Sequence, residues 1–331
     1  MIISRAPVRF SLGGGGTDLP SYSRVHGGYL VAAAIDKHIF VCANRRFYQS
    51  IRLAYSKTEI VDSVDAIEHR IFREALRLTK IDNGIELVSV ADLPANSGLG
   101  SSSSFTVALL NALHAYKREF VPTEQLAEEA CALEIEVLKE PIGKQDQYIS
   151  AYGGITAFTF DTDGSVHAEP VPMKVEAMDE LESNLLIFYS GVERAASAVL
   201  TEQAKTITSN TNDAVARMDR IKALGHDTYR LLVDGKIDLY GELLHEHWTN
   251  KRKLASKMTD AVIDEHYDAA RAAGAIGGKL MGAGGGGFFM FYVRPADKRH
   301  VYEALLARGL KPLRFKFDFD GARIVANFHR S

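Results

Sequence analysis

The sequence predicts an α+β protein of two domains, and three observations predict it. The chain has 331 residues, more than one small core accommodates. Its first half interleaves strand-like and helix-like segments around two glycine-rich loops. After about Asn184 the pattern changes to a long polar-helical stretch, and then to a third glycine loop that enters a strand. We divide the chain into 1–172 and 173–331, with the boundary falling in the stretch 165–185.

Each element has its own signal. "IISRAPVRFSL" alternates well enough for a strand running into the first loop. "GGYLVAAAID" and "HIFVCANRRF" are apolar and β-branched and read as two further strands. "SVDAIEHRIFREALRLT" places Ile67, Ile71, Ala75 and Leu78 at helical spacing. "GIELVSVADLP" is a strand that Pro94 ends. "FTVALLNALHAY" sets Phe105, Leu109, Ala112 and Tyr116 along one helix face; "TEQLAEEACALEIEVL" does the same with Leu126, Ala130, Leu133 and Val137. "YGGITAFTF" returns to strand. In the second half "NLLIFYSG" is a strand, Ala214, Met218 and Ile221 mark one amphipathic helix, and Leu244 with Trp248 marks another. "FFMFYV", the helix "ADKRHVYEALLARG" and a last strand near "GARIVANF" follow.

Composition removes several function classes. With 46% hydrophobic and 24% charged residues the chain is an ordinary globular protein. A net charge of -3 without a basic block argues against a nucleic-acid partner. The longest apolar runs are strand-sized, so no membrane role is expected. "MIISRAPVRF" has no apolar signal-peptide region, and Cys42 and Cys131 read as reduced core thiols, which together point to the cytoplasm. No Cys or His spacing suits a metal.

The strongest chemical signal is "LPANSGLGSSSS" at 93–104, after a strand and at the start of an apolar helix. A helix N-terminus offers unpaired backbone N–H groups and the positive end of its dipole. Gly98 and Gly100 let a phosphate approach the main chain, and Ser101, Ser102, Ser103 and Ser104 supply hydroxyls. One helix cap needs one serine, so four serines point to phosphate binding. No GxxxxGK[ST] string occurs; Gly282, Gly284 and Gly287 match GxGxxG, but between a helix and a strand, the wrong order for a dinucleotide fingerprint.

Two further constellations are less specific. Asp146 lies in a polar patch between apolar segments and, taken alone, reads as a cap on the helix "QYISAY". Glu134 and Glu136 are two apart, so at most one of them faces a site, and solvated surface is the default for either. The loop "KLMGAGGGG" demands a tight backbone passage, structural or substrate-facing.

Together "PVRFSLGGGGTDLPSY", "LPANSGLGSSSS" and "KLMGAGGGGFFMF", in this order and spacing, resemble the three motifs of the GHMP small-molecule kinases. Within that superfamily the GGGTD form of the first motif and "GKQDQYISAYGG" look like the bacterial D-glycero-D-manno-heptose 7-phosphate kinases. The resemblance implies an N-terminal domain like ribosomal protein S5 domain 2 and a ferredoxin-like C-terminal domain, with ATP between them. It implies Mg2+ on Ser102 and Glu136, catalysis by Asp146 with Arg9, and ATP phosphates at Gly98, Gly100 and Ser101–Ser104. It further implies a sugar against Gly14, Gly15, Thr17 and Asp18, with Gly284 and Gly285 from the third loop. An ionised carboxylate such as Asp18 offers only acceptors, which suits sugar hydroxyls.

The implied reaction phosphorylates the anomeric hydroxyl of the heptose phosphate to the 1,7-bisphosphate, a step toward nucleotide-activated heptose for surface polysaccharide. A galactose- or fucose-type kinase and a non-catalytic ATP and sugar sensor are the rivals. A mevalonate-type kinase is disfavoured by the "TD" and "QDQ" strings. The expected partners are a sugar phosphate and ATP, and a homodimer is left open. A substrate phosphate needs cations; Arg24, His26, Lys37, His38, Arg45, Arg46, Lys144 and Arg194 are the candidates near the motifs.

Overall fold

A computed structural model describes residues 1–94, 98–192, 196–210, 213–256 and 258–328; Arg194 lies outside them. Strand β1 (Ile2–Gly13) pairs antiparallel with β2 (Gly28–Arg45), and the short helix α1 (Pro20–His26) joins them. The two strands expected over this stretch are one. The polar pair Asp36–Lys37 is absorbed where the register shifts between Pro7 and Val8, a bulge that also accommodates the proline.

A hairpin of β3 (Ile51–Ala54) and β4 (Thr58–Val61) precedes α2 (Arg70–Thr79) and β5 (Ile85–Ala91). Then come α3 (Ser101–Lys117), α4 (Thr123–Cys131), a π-helical segment Ala132–Val137, α5 (Gln145–Tyr152), β6 (Ile155–Phe160) and β7 (Val166–Pro170). Strand β2 is long enough to take β6 along its first third and β5 along its last. Helix α3 is apolar on nearly every face because it is buried against this sheet.

The second half runs α6 (Val175–Asn184), β8 (Leu185–Tyr189), α7 (Ala196–Thr208), α8 (Ala214–Asp234), α9 (Tyr240–Lys251) and α10 (Ala261–Ala272). It ends with β9 (Gly277–Leu280), β10 (Phe288–Tyr292), α11 (Lys298–Leu306), β11 (Lys311–Leu313) and β12 (Arg323–Asn327). A second sheet has the order β11-β8-β10-β9. All five β10 residues are buried, because the sheet separates two cores. Phe288, Met290 and Tyr292 join the core shared with the first sheet; Phe289 and Phe291 face a second core with Trp248, Tyr267 and Leu305.

Strand β12 crosses back and pairs with β1, so the first sheet has the order β12-β1-β2-β5-β3-β4, with β6 and β7 joined through β2. We keep the division near residue 172 as a proposal about the order of the elements, with this last strand lying across it. Among the described residues no helix is long and apolar enough to cross a membrane.

Candidate active site

The start of α3 opens onto a cleft of about 480 Å3, bordered by Gly98, Gly100, Ser101, Ser102 and Ser103. Gly100 is left-handed (φ 78°), and the Ser104 N–H donates to its carbonyl at 2.9 Å to close the first turn. A Cβ on Gly100 would stand 3.0 Å from Asp146 Oδ2, so backbone angle and crowding both require glycine. Ser104 departs from expectation: it points inward, its hydroxyl 2.9 Å from the Pro7 carbonyl and 2.9 Å from Ser150 Oγ. At the fourth helical position a side chain has rotated off the mouth and onto the sheet beneath.

Arg9 and Asp146 meet at that mouth. Arg9 Nε donates to Asp146 Oδ1 and its Nη2 to Oδ2, both at 2.8 Å, while its Nη1 donates to the Gly98 carbonyl at 2.8 Å. A two-pronged guanidinium–carboxylate pair fixes both position and rotation of the acid. Arg9 is buried, whereas the Asp146 side chain keeps 26% of its surface exposed, toward the cleft. Helix α5 begins at Gln145 without a side-chain cap, so Asp146 is free of the capping role it could have had.

The four-glycine run has two structural duties and one opening. Gly14 (φ 77°) brings the chain against the Tyr29 carbonyl, where a Cβ would collide. Thr17 is fully buried; its hydroxyl donates to the Gly14 carbonyl at 2.8 Å and accepts the Tyr29 N–H at 3.1 Å. Gly14 and Thr17 thus build the turn and do not border the cleft, contrary to expectation; Gly15, Gly16 and Asp18 do border it. Asp18 Oδ2 accepts the Gln145 N–H at 3.1 Å. Burial and the neighbouring Asp146 carboxylate raise its pKa above the usual carboxylate range, against the pull of the Gln145 N–H and Arg9. Beside it Ser11 Oγ and Gln203 Oε1 are buried without partners among the described residues.

The acid that meets Ser102 is Glu134, not Glu136. Ser102 Oγ donates to Glu134 Oε1 at 2.8 Å, and Gln147 Nε2 to Oε2 at 2.6 Å. Burial raises the pKa of Glu134, with donation from Ser103, Ser102 and Gln147 opposing it. Glu136 is exposed on the other side of the π-helical segment, because two residues of helix carry a side chain about half a turn round. Oxygen donors at a helix N-terminus suit Mg2+, which is commonly held by one or two carboxylates plus substrate phosphates. Among the described residues no three of His, Cys, Asp or Glu are grouped for a metal, and Ser102 with Glu134 is the hydroxyl–carboxylate pair at this helix end.

From the second half, Gly282 and Ala283 border the cleft, whereas Gly284 and Gly285 do not. The Gly285 N–H donates to the Met258 carbonyl at 2.8 Å and a Cβ on Gly284 would strike the Met258 side chain, so these two glycines pack the loop. Three unanticipated cations border the cleft: Arg70, exposed and paired with Glu140, and two buried lysines. Lys251, at the end of α9, donates to the Gly282 carbonyl at 2.8 Å; Lys279, in β9, is 1% exposed and its Nζ has no partner among the described residues. None of the described cations expected near the motifs borders the cleft. Lys37 is paired with Asp36, His38 with Asp318 and Lys144 with Glu128, while Arg24 donates to the Asp163 carbonyl.

An electropositive helix mouth, an arginine-held carboxylate and a hydroxyl–carboxylate pair in one cleft are the equipment of a phosphotransferase. The models for the GHMP kinases N-terminal and C-terminal domains match residues 52–154 and 228–311. The chain is 26% identical to a D-glycero-alpha-D-manno-heptose 7-phosphate kinase of Campylobacter jejuni, over 92% of this chain and 93% of that protein. A mevalonate kinase of Methanothermobacter thermautotrophicus is 30% identical over 70% of this chain and 71% of its own. The crystal structure of a D-glycero-D-manno-heptose 1-phosphate kinase from Bacteroides thetaiotaomicron superposes with a TM-score of 0.83 at 27% identity, covering 99% of this chain and 100% of that one. The protein belongs to the GHMP kinases, a family of ATP-dependent phosphotransferases.

Proposed function

We propose that the protein transfers the γ-phosphoryl group of ATP to the anomeric hydroxyl of D-glycero-D-manno-heptose 7-phosphate, giving the 1,7-bisphosphate and ADP. The observation that carries this reading is Asp146, held by Arg9 across two 2.8 Å bonds at the mouth of α3. The anomeric oxygen attacks the γ-phosphorus, the bond to the β–γ bridging oxygen breaks, and Asp146 receives the hydroxyl proton. Arg9 keeps Asp146 aimed at that hydroxyl through its two-pronged bond. The N–H groups of the first turn of α3 take the ATP phosphates. Ser102 and Glu134 would hold Mg2+, which neutralises phosphate charge when bound.

Sugar binding is supported by the polar groups beside Asp146. Asp18 accepts hydrogen bonds from sugar hydroxyls, and Ser11 Oγ and Gln203 Oε1 are without partners among the described residues. The names of the Campylobacter and Bacteroides relatives both specify a heptose that already bears a phosphate, which supports a phosphorylated acceptor here.

An ATP-consumption assay against sugars with and without terminal phosphates, with phosphorus NMR of the product, tests the reading. Turnover of heptose 7-phosphate with a new anomeric phosphate signal is expected, and turnover confined to neutral sugars would discard the heptose assignment. Asp146→Asn should lower kcat by about 100-fold or more while a fluorescent ATP analogue still binds. Retained turnover in that variant would remove Asp146 from the reaction.

A further inference from the structure

Lys279 has an unusual position for an ammonium group. It is 1% exposed, it lines the cleft, and no described atom accepts a hydrogen bond from its Nζ. An unpaired buried cation is costly, so such a group persists where something else supplies the partner. Lys251, also buried at 6% exposure, has the Gly282 carbonyl for one of its three donors. Behind them His247 is buried with both ring nitrogens unpartnered, and burial plus the two lysines hold its pKa well below the usual imidazole value. It therefore adds no charge of its own.

The charged groups around the pair are Arg9, Asp18 and Asp146. Arg9 is spoken for by Asp146 and the Gly98 carbonyl. The carboxylates do not bond either lysine, so the lysines are left for an anion from outside. Among the described residues that border the cleft, the buried side-chain atoms without partners are Ser11 Oγ, Gln203 Oε1 and Lys279 Nζ; the first two adjoin Gly15 and Gly16, the acceptor side.

We propose that Lys279 and Lys251 form the subsite for a phosphate monoester carried by the acceptor, distinct from the phosphates of ATP at α3. This rests on the reading that the Asp18 side of the cleft receives the sugar. Two lysines from different elements, α9 and β9, close on a dianion as point charges without a fixed fork, which suits a phosphate at the end of a sugar chain. Burial and mutual repulsion lower the pKa of Lys279 in the free protein, and a bound dianion reverses that balance, so binding draws protons in.

Lys279→Met and Lys251→Met, each with the native enzyme as control, test the subsite. The acceptors are heptose 7-phosphate, heptose 1-phosphate and the unphosphorylated heptose, and the dissociation constant of a fluorescent ATP analogue is measured without acceptor. The native enzyme should prefer a phosphorylated acceptor, and each variant should shrink that preference in kcat/KM by about 30-fold or more with the nucleotide constant unmoved. A weakened nucleotide constant with the preference intact would assign the lysines to ATP and overturn the proposal. An unchanged preference and an unchanged nucleotide constant would also overturn it, leaving the heptose 7-phosphate reading standing. A native preference for another phosphorylated acceptor, lost in the variants, would keep the subsite and discard heptose 7-phosphate. A native enzyme that acts only on neutral sugars would discard both. Where Lys279→Met does not fold, Lys251→Met carries the same test.

Discussion

Lys251 sets the pH behaviour of the cleft. Burial and the Arg9 charge lower its pKa to about 8, while Asp18 and Asp146 pull the other way. The groups that face it are those three, Lys279, His247 and the Gly282 carbonyl. If it helps hold an acceptor phosphate, kcat/KM for that acceptor falls as pH rises through about 8, since this parameter reports the free enzyme. Lys251→Arg stays charged and should move the fall to higher pH; an unmoved profile would take Lys251 out of the subsite. The stability effect has the opposite sense. The folded pKa lies below the unfolded one, so the unfolded chain binds more protons between them and folding stability rises with pH across that window. At this scale Arg9, Asp18, Ser102 and Asp146 were legible because each stands inside a motif. Lys251 was not, since one lysine at a helix end reads as solvated. Its signal was position: it continues the buried face marked by Leu244 and Trp248. Lys279 stood in the third motif itself, a lone charge leading into a buried strand.

Among the elements, the π-helical segment Ala132–Val137 decides which acid reaches the helix mouth. It presents Glu134 to Ser102 and leaves Glu136 in solvent. Glu134→Gln should therefore lower kcat by about 10–100-fold and raise the Mg2+ concentration needed for half-maximal activity, in a metal titration of the assay. Glu136→Gln should leave both within error, and the reverse pattern would return the role to Glu136. Periodicity could place the pair on opposite sides but could not say which side met the cleft. The same limit acts at element ends. Leu78 and Val137, read as inward, are 49% and 56% exposed, because the buried face of α2 runs through Phe72, Ala75, Leu76 and Thr79 and α4 gives way to the wider π turn after Cys131. The β3–β4 hairpin and β9 passed unread, as strands of four residues are too short for alternation to show.

Over the whole molecule, the C-terminal segment ties the two sheets into one unit. The Asp318 N–H donates to the Ala34 carbonyl at 2.9 Å, and the Gly154 N–H to the Asp318 carbonyl at 2.7 Å, before β12 pairs with β1. The buried Asp318 carboxylate takes His38 Nε2 at 2.8 Å, Arg5 at 3.3 Å, and the N–H groups of Asp320 and Gly321 at 2.9 and 3.1 Å. No short-range pattern could announce this, since His38 and Arg5 lie 280 and 313 residues from Asp318. Burial pushes the Asp318 pKa upward, but His38 and the two amides outweigh it and hold the pKa below the usual carboxylate value. The stabilisation is therefore present at neutral pH and is lost as pH falls through that lowered pKa. Asp318→Ala leaves His38 and the Asp320 and Gly321 N–H groups without their buried acceptor, while Arg5 keeps Asp320, and should cost about 1–3 kcal/mol. Because the clasp holds the C-terminal segment on the first sheet and that sheet shares a continuous core with the second, the variant should melt several degrees lower in one calorimetric transition at neutral pH, with the difference from the native protein shrinking in acid. Two separated transitions would show that the halves melt independently, and an unchanged melting temperature that the clasp contributes nothing.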